Sequence, residues 1–447
     1  MKPAKPPTKP RGPRPPDARA AALDLLGAVL DRGVPLDTVL AHSAVLAKLS
    51  PRDRAFARVL ITTVLRRRGQ IDAALDEKLS RRLTKHQTQV RNALRLGVAQ
   101  LAFLETPAHA AVDGSVNLVR HSGRAGMTGL VNAILRTIDR ESADALAATP
   151  ETEQRNTPAW LRDSWRDAYG ADTAAAIMAV HRADPPLDIS LVPGAPVQEW
   201  ATRLDAEILP TGSLRRRAGG IVSELDGFAE GTWWVQDAAA ALPARLFGDL
   251  NGRTAIDLCA APGGKTAQLA AAGAKVTALD ISSERLRLVS QNMDRLGFSV
   301  KTVCADAGDY KPAAPAEAIL LDAPCSSTGT IRRHPDIAWL KKPEDVANTA
   351  KTQNRLLHAA AGMLAPGGTL VYAVCSLQPE EGPAQIEALL AETSDMVRAP
   401  ITLDELPGLD SLSPPALTEQ GDIRTLPCHF AEAGGMDGFY IARLQRR

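Results

Sequence analysis

The 447-residue chain is poor in aromatics, at 4% of residues, and holds only five cysteines. Its cores must therefore be built mainly from Leu, Val, Ala and Ile. An odd number of widely spaced cysteines excludes a disulfide scaffold, and without a Cys-x-x-Cys pair no zinc or other metal site is expected. No apolar run approaches the roughly 20 residues needed to cross a bilayer. The start is rich in Lys and Pro, unlike the charged stub and apolar stretch of a secretory signal. Neither the G-x-x-x-x-G-K phosphate loop nor the G-x-G-x-x-G dinucleotide fingerprint occurs. What remains, at 45% hydrophobic residues, is an ordinary folded composition long enough for about three domains, and it reads as a multidomain cytoplasmic protein.

The net charge of +1 conceals an asymmetry. Residues 1–16 carry Lys2, Lys5, Lys9, Arg11 and Arg14 with no acid, and their proline content predicts a disordered basic tail. Residues 17–140 are also basic, whereas 141–447 are net acidic. Such a split suggests a polyanion-binding front on a different kind of body, although a solvated helix surface accounts for the charge equally well.

Helical spacing dominates residues 17–140, as in Leu23, Leu26, Leu30, Leu36, Val39 and Leu40. It continues through 58–66, 71–79, 90–104, 112–118 and 130–138, predicting five to seven helices. A Ser/Ala/Thr-rich link over 141–157 leads into a small mixed α/β region ending near residue 235. There the pattern predicts a helix over 160–180 and short strands at 187–192 and 221–224. From residue 236 onward apolar runs at 255–259, 275–280, 300–306, 318–322 and 369–375 alternate with helical segments such as 283–296 and 343–364. This alternation predicts a doubly wound parallel sheet with ligands outside the carboxyl ends of its strands. The last run, 438–444, suggests an antiparallel edge strand.

Three places at that sheet end carry chemistry. The first is the turn Cys259-Ala260-Ala261-Pro262-Gly263-Gly264-Lys265, preceded by Asp257 and opening a helix, where glycines let backbone N–H groups approach a ligand. Asp280 ends the next strand, placed to bind a ribose diol, and Asp306 ends the third, placed to contact an adenine amino group or neighbouring backbone. With no Arg following to take a 2′-phosphate, a nucleoside-type ligand is favoured. The second place is Asp322-Ala323-Pro324-Cys325-Ser326-Ser327-Thr328-Gly329, and the third is Val374-Cys375-Ser376. Cys259 and Cys304 read as small buried hydrophobes inside strands. Two thiols and a carboxylate at adjacent strand tips instead suit covalent catalysis, with Lys265, Arg332, Arg333 and His334 available to lower a thiol pKa. A thiol-redox pair is the competing reading, although 50 residues separate Cys325 from Cys375.

The blocks 257–266, 322–329 with Arg332-Arg333-His334-Pro335-Asp336, and 371–381 resemble the signatures of the RNA cytosine-5 methyltransferases. The front, through Ala18–Leu26 and Ser50-Pro51-Arg52-Asp53-Arg54, is similar to the NusB RNA-binding fold. The resemblance implies an all-α NusB-like domain, a small α+β domain and a Rossmann-like class I methyltransferase domain from residue 236. It further implies S-adenosylmethionine held by Cys259–Lys265, Asp280, Asp306 and Asp322, and a substrate cytosine attacked by Cys375. Asp322 would then stabilise the ring and Cys325 assist release. Small-subunit (16S) rRNA is the implied substrate, with tRNA as the alternative within the class and an RNA-binding transcription factor with an inactive methylase outside it. Arg66-Arg67-Arg68 and Arg81-Arg82 are candidate phosphate contacts, or else plain helix-surface charges. Nothing calls for an obligate protein partner. One departure is visible: Tyr372-Ala373-Val374 precedes Cys375 where the family pattern has Ser-Thr, a change expected to affect strand packing rather than chemistry.

Overall fold

A computed structural model describes residues 17–141, 146 and 152–447. The basic tail and most of the Ser/Ala/Thr-rich link lie outside the described residues. The chain divides into two compact units, one ending at Pro158 and the other running from Ala159 to the end.

The first unit is helical. Helices α1 (Ala18–Arg32), α2 (Leu36–His42), α3 (Ala44–Ala47), α4 (Pro51–Arg66), α5 (Arg68–Lys78), α6 (Thr88–Ala102), α7 (Ala108–His121) and α8 (Thr128–Arg140) precede a short α9 (Thr152–Asn156). Seven of the eight helices before residue 141 match the expected number; the four-residue α3 is too short to show a period. The start of α4 explains the Ser50–Arg54 motif. Ser50 is the N-cap and accepts from the Asp53 N–H at 3.1 Å, while Pro51 sits where no N–H is required. Helix α6 is the centre, touched by α1, α4, α5, α7 and α8 and buried on nearly all sides. At Gly97 an added Cβ would come within 2.6 Å of Leu135, so glycine is what lets α8 lie this close.

Arg66-Arg67-Arg68 do not form an open basic stripe. Arg66 is buried, Arg67 lies over the Phe103 ring at 5.1 Å, and Arg68 pairs with Asp72 at 3.6 Å. Asp72 also takes both arms of Arg95 at 2.7 and 2.8 Å; burial pushes its carboxyl up, but these cations hold it below its ordinary value. Arg81 and Arg82 are exposed between α5 and α6.

The second unit begins with α10 (Ala159–Tyr169) and α11 (Ala171–Val180), broken at Gly170, whose φ is 82°. Strands β1 (Leu187–Leu191), β2 (Ala206–Ile208), β3 (Leu214–Arg216) and β4 (Trp233–Val235) make an antiparallel sheet in the order β2-β3-β1-β4, with α12 (Val197–Arg203) between β1 and β2. The strand expected at 221–224 is instead a single 3₁₀ turn, Val222–Glu224, after two glycines and with Ile221 exposed, so no neighbour pairs with it.

Eight strands form the large sheet: β5 (Thr254–Leu258), β6 (Lys275–Asp280), β7 (Lys301–Cys304), β8 (Ala316–Asp322), β9 (Leu364–Val374), β10 (Met396–Arg398), β11 (Ile423–Arg424) and β12 (Tyr440–Arg446). Their order is β10-β12-β9-β8-β5-β6-β7, with β11 pairing β12. Strands β5 to β9 are parallel, and β12 runs antiparallel to β9. The terminal strand is therefore antiparallel as expected, but it is not an edge: β10, three residues and invisible as a pattern, covers it. Helices α13 (Gly264–Ala271), α14 (Ser283–Leu296), α15 (Ile337–Leu340), α16 (Pro343–Met363) and α17 (Pro383–Glu392) complete the unit. Apolar side chains alternate between two layers on the sheet's faces: Ala255, Ala318 and Leu320 in one, Ile256, Leu258, Ile319 and Leu321 in the other. Burying each of these Leu and Ile side chains contributes about 1.5–3 kcal/mol before entropy is counted. The chain leaves β5 toward β6 on one side and meets β8 on the other, a reversal that opens a crevice at the carboxyl ends.

Candidate active site

On the β5–β6 side the crevice is built from backbone. Cys259 turns the chain out of β5 with a φ of 65°, and Gly263 caps α13 at a φ of 105°. That positive φ strains any side chain, so the loop's shape depends on glycine there. The Ala260 N–H donates to the Leu279 carbonyl at 2.8 Å, tying the loop to β6. Asp280, buried at the tip of β6, accepts from the Ala261 N–H at 3.2 Å and the Ser282 N–H at 3.0 Å. An Arg does follow: Arg285 lies 3.5 Å from Asp280 and donates to the Ala261 carbonyl at 2.8 Å, so its guanidinium is committed to the loop. Beneath, Asp257 is buried and takes the Thr266 hydroxyl at 2.5 Å, while its Oδ1 has no partner. Burial pushes its carboxyl up to about 7.

Asp306 does not end a strand. Strand β7 stops at Cys304, and Asp306 sits in the following turn, accepting from Gly308 N–H at 2.7 Å and from Arg355 at 2.9 Å. The Arg355 hydrogen bond holds its carboxyl below the ordinary value. Cys304 is exposed rather than buried, because β7 is the sheet's outer strand. Cys259 is half-buried against the core, and burial pushes its thiol up to about 12.

On the β8–β9 side the crevice is built from side chains. Asp322 ends β8 and receives Lys265 Nζ at 2.7 Å, and the ammonium also lies 5.1 Å from the Phe439 ring centroid. Burial would lower the Lys265 pKa, but Asp322 more than offsets it and raises the value. Cys325 and Cys375 follow β8 and β9, with their sulfurs 3.4 Å apart. Cys375 is lowered, first by the hydrogen bond from Cys325, and Cys325 is raised by the same bond and by burial. Charges of both signs surround the pair: Lys265 and Arg333 face Cys375, but so do Asp322 and Asp437, which raise it, and the Glu381 carboxylate faces Cys325, so the hydrogen bond from Cys325 is what lowers Cys375.

Each of the four cations expected to serve a thiol faces a carboxylate, Lys265 that of Asp322. Arg332 is buried on Asp237 and Asp437, Arg333 pairs with Asp437, and His334 faces Asp437. Burial raises the Asp237 carboxyl to about 6. Tyr372, the departure before Cys375, is buried and donates its hydroxyl to the Glu381 carbonyl at 2.7 Å. Helix α10 supports this side. Trp165 Nε1 donates to Gln378 Oε1 at 3.1 Å and Tyr169 to the Leu377 carbonyl at 2.5 Å.

The residues named from sequence thus fall at one sheet end, but several of their partners were not legible. Glu381 was visible only as the end of a motif block, and Asp237 and Asp437 carried no local signal, since each lies far along the chain from its arginine partners.

The donor set fits a nucleoside carrying a cationic sulfur. A backbone-lined loop, a carboxylate at the β6 tip and an unpartnered buried carboxyl oxygen at Asp257 suit ribose and polar groups; Asp322 adds negative charge nearby.

The family model described as 16S rRNA methyltransferase RsmB/F matches residues 246–445, and the NusB family matches residues 16–140. The chain is 37% identical over 401 residues to the ribosomal RNA small subunit methyltransferase B of Xanthomonas campestris pv. campestris, covering 86% of this chain and 90% of that protein. It is 32% identical to the protein of the same name from Cronobacter sakazakii, over 96% of this chain and 98% of the other. Among solved structures, PH0851 superposes with a TM-score of 0.75 at 22% identity over 97% of this chain and 99% of that one, a likeness of fold. A methyltransferase homolog protein from Pyrococcus horikoshii gives 0.52 at 25% identity, over 64% and 94%. With near-complete coverage of relatives above 30% identity, the chain belongs to the RsmB/F family of S-adenosylmethionine-dependent 16S rRNA methyltransferases, with a NusB-family domain ahead of the catalytic one.

Proposed function

We propose that the chain methylates carbon 5 of a specific cytosine in 16S rRNA through a covalent adduct on Cys375. The observation that carries this reading is the thiol pair at 3.4 Å beside the Lys265–Asp322 pair, with the lowered thiol on Cys375. Carbon 5 of cytosine is a weak nucleophile. Attack of the Cys375 thiolate on carbon 6 forms a C–S bond and moves the ring's electron pair toward carbon 5. Asp322, taking a proton from its partner Lys265 as cytosine binds, donates it to N3 and accepts from the amino group, so that the charge developing on the ring is neutralised. S-adenosylmethionine would be held by Cys259–Lys265, Asp280 and Asp306 and would supply its electrophilic methyl group to carbon 5, leaving as the neutral sulfide once its sulfur–methyl bond breaks. Loss of the carbon 5 proton then returns an electron pair to the ring, breaks the C–S bond and frees Cys375. With Cys375 bonded to carbon 6, Cys325 gives its own proton to solvent and, as a thiolate, takes the carbon 5 proton.

A helical RNA base cannot reach this crevice, so the target cytosine is taken from a loop or flipped out. The helical unit and the basic tail supply phosphate contacts, Arg81 and Arg82 among them, and the enzyme acts in the cytoplasm. The test is methyl transfer from labelled S-adenosylmethionine to unmodified small-subunit rRNA and, separately, to tRNA, followed by nucleoside analysis. Label in 5-methylcytosine from rRNA alone is expected. Label only in tRNA would overturn the substrate, and donor binding without transfer to either RNA would overturn naked RNA as substrate.

A further inference from the structure

Each of the two cysteines at the crevice is followed by a serine, and both serines converge on one buried carboxylate. Ser326 and Ser376 hydroxyls lie 3.0 Å apart and both donate to Glu381 Oε2, the Ser376 bond at 2.5 Å. The other oxygen, Oε1, takes the Ser326 N–H at 2.8 Å, the Thr349 hydroxyl at 2.5 Å and Gln353 Nε2 at 3.1 Å. Glu381 has no exposed surface, and its own carbonyl is held by Tyr372. Gln353 also donates to the Pro324 carbonyl at 2.9 Å, immediately before Cys325.

A buried carboxylate costs several kcal/mol unless its lone pairs are taken up, so such a group persists only where its donors are fixed. Here five donors come from three segments: the loop after β8, the loop after β9, and helix α16. Beyond the last ladder hydrogen bond nothing in β-sheet geometry keeps two neighbouring loops in step. The Cys325–Cys375 hydrogen bond that lowers one thiol and raises the other needs them in step to within a few tenths of an ångström.

We infer that Glu381 is the positioning residue of the thiol pair, acting through Ser326 and Ser376 to hold the two sulfurs in register; the inference rests on the covalent role given to Cys375 above. Glu381 has no exposed surface with which to meet substrate or donor. Its effect is on the geometry of attack and release, not on the affinity of the crevice.

The experiment is Glu381→Gln, which keeps the shape but turns one acceptor into a donor facing donors. Turnover is expected to fall about 10- to 100-fold, the cost of misplacing reacting groups by roughly 1 Å. Affinity for S-adenosylmethionine, measured by calorimetry, should stay within about twofold, as expected of a change that leaves the β5–β6 side intact. The pH profile of iodoacetamide alkylation at Cys375, mapped by peptide mass spectrometry, should move to higher pH as the aligned Cys325 donor is lost. The milder Ser326→Ala, Ser376→Ala double variant should move turnover and alkylation in the same directions, and adding Glu381→Gln to it should cost little more. It carries the test if Glu381→Gln does not fold. An unmoved alkylation profile, or donor affinity falling in step with turnover, overturns the inference. The alkylation profile reads the thiols without methylation, so its failure is distinct from failure of the covalent reading, which Cys375→Ala retaining turnover would show.

Discussion

The two sides of the crevice are held by different means. On the β5–β6 side, main-chain N–H groups and a strained turn shape the loop, and Asp280 serves it by accepting backbone donors. On the β8–β9 side the polar groups are ordered by other side chains: Lys265 on Asp322, Cys325 on Cys375, and two serines on Glu381. A backbone-built surface tolerates side-chain change but not a change of φ. A side-chain network tolerates backbone neighbours but loses its geometry when one acceptor goes. The division matches two tasks, since a bound nucleoside needs close approach of backbone, whereas a nucleophile needs a tuned proton.

If the comparison holds, Cys375→Ala has the largest effect: turnover lost by at least about a thousandfold, with S-adenosylmethionine affinity nearly intact. Residual turnover near the parent level in a single-turnover assay would break the division at its centre. Next in size, Cys325→Ala should stop release after attack. A denaturant-stable protein–RNA band is expected, and its appearance with Cys375→Ala instead would reverse the two roles. The complementary lesion is Gly263→Ala. At a φ of 105° it should weaken donor binding by about one to two orders of magnitude while leaving the Cys375 alkylation profile unmoved; the profile shifting along with binding would show that the two sides are not separable.

The smallest effect concerns pH. Asp257 is held near 7 in the folded chain against 3.8 for an ordinary aspartate. Between those values the folded state keeps a proton that the unfolded chain has released. Its contribution to stability is therefore full below about pH 4 and lost as pH rises through 7. Asp257→Asn should flatten that part of the melting-temperature profile, and an unchanged slope from pH 4 to 7 would mean the carboxyl titrates normally.

Much of this crevice is legible before any coordinates, for identifiable reasons. Parallel strands buried on both faces leave continuous apolar runs, so β5, β6, β8 and β9 can be located, and with them the tips carrying Asp280, Asp322, Cys325 and Cys375. Where the signal is short it fails. β10 has three residues, the turn at 222–224 has no pairing partner, and β7 ends two residues before Asp306. Arg66-Arg67-Arg68 read as a run of surface charge, yet consecutive helix positions point in different directions, and only packing shows which of them are spent on Phe103 and Asp72.

The order of residues along the chain determined the helical front, the doubly wound body and the identity of the groups at the crevice, because period, glycine placement and strand-end residues are local properties. Which cation meets which anion was decided only by the tertiary structure. Lys265 meets Asp322 across 57 positions, and Arg332 meets Asp237 across 95. So was the direction in which each thiol's pKa moves. The Cys325–Cys375 contact spans 50 positions, and the hydrogen bond between the two sulfurs is the first cause of both shifts. Coulomb and hydrogen-bond energies depend on separation in space, and separation in space is what a linear sequence does not carry.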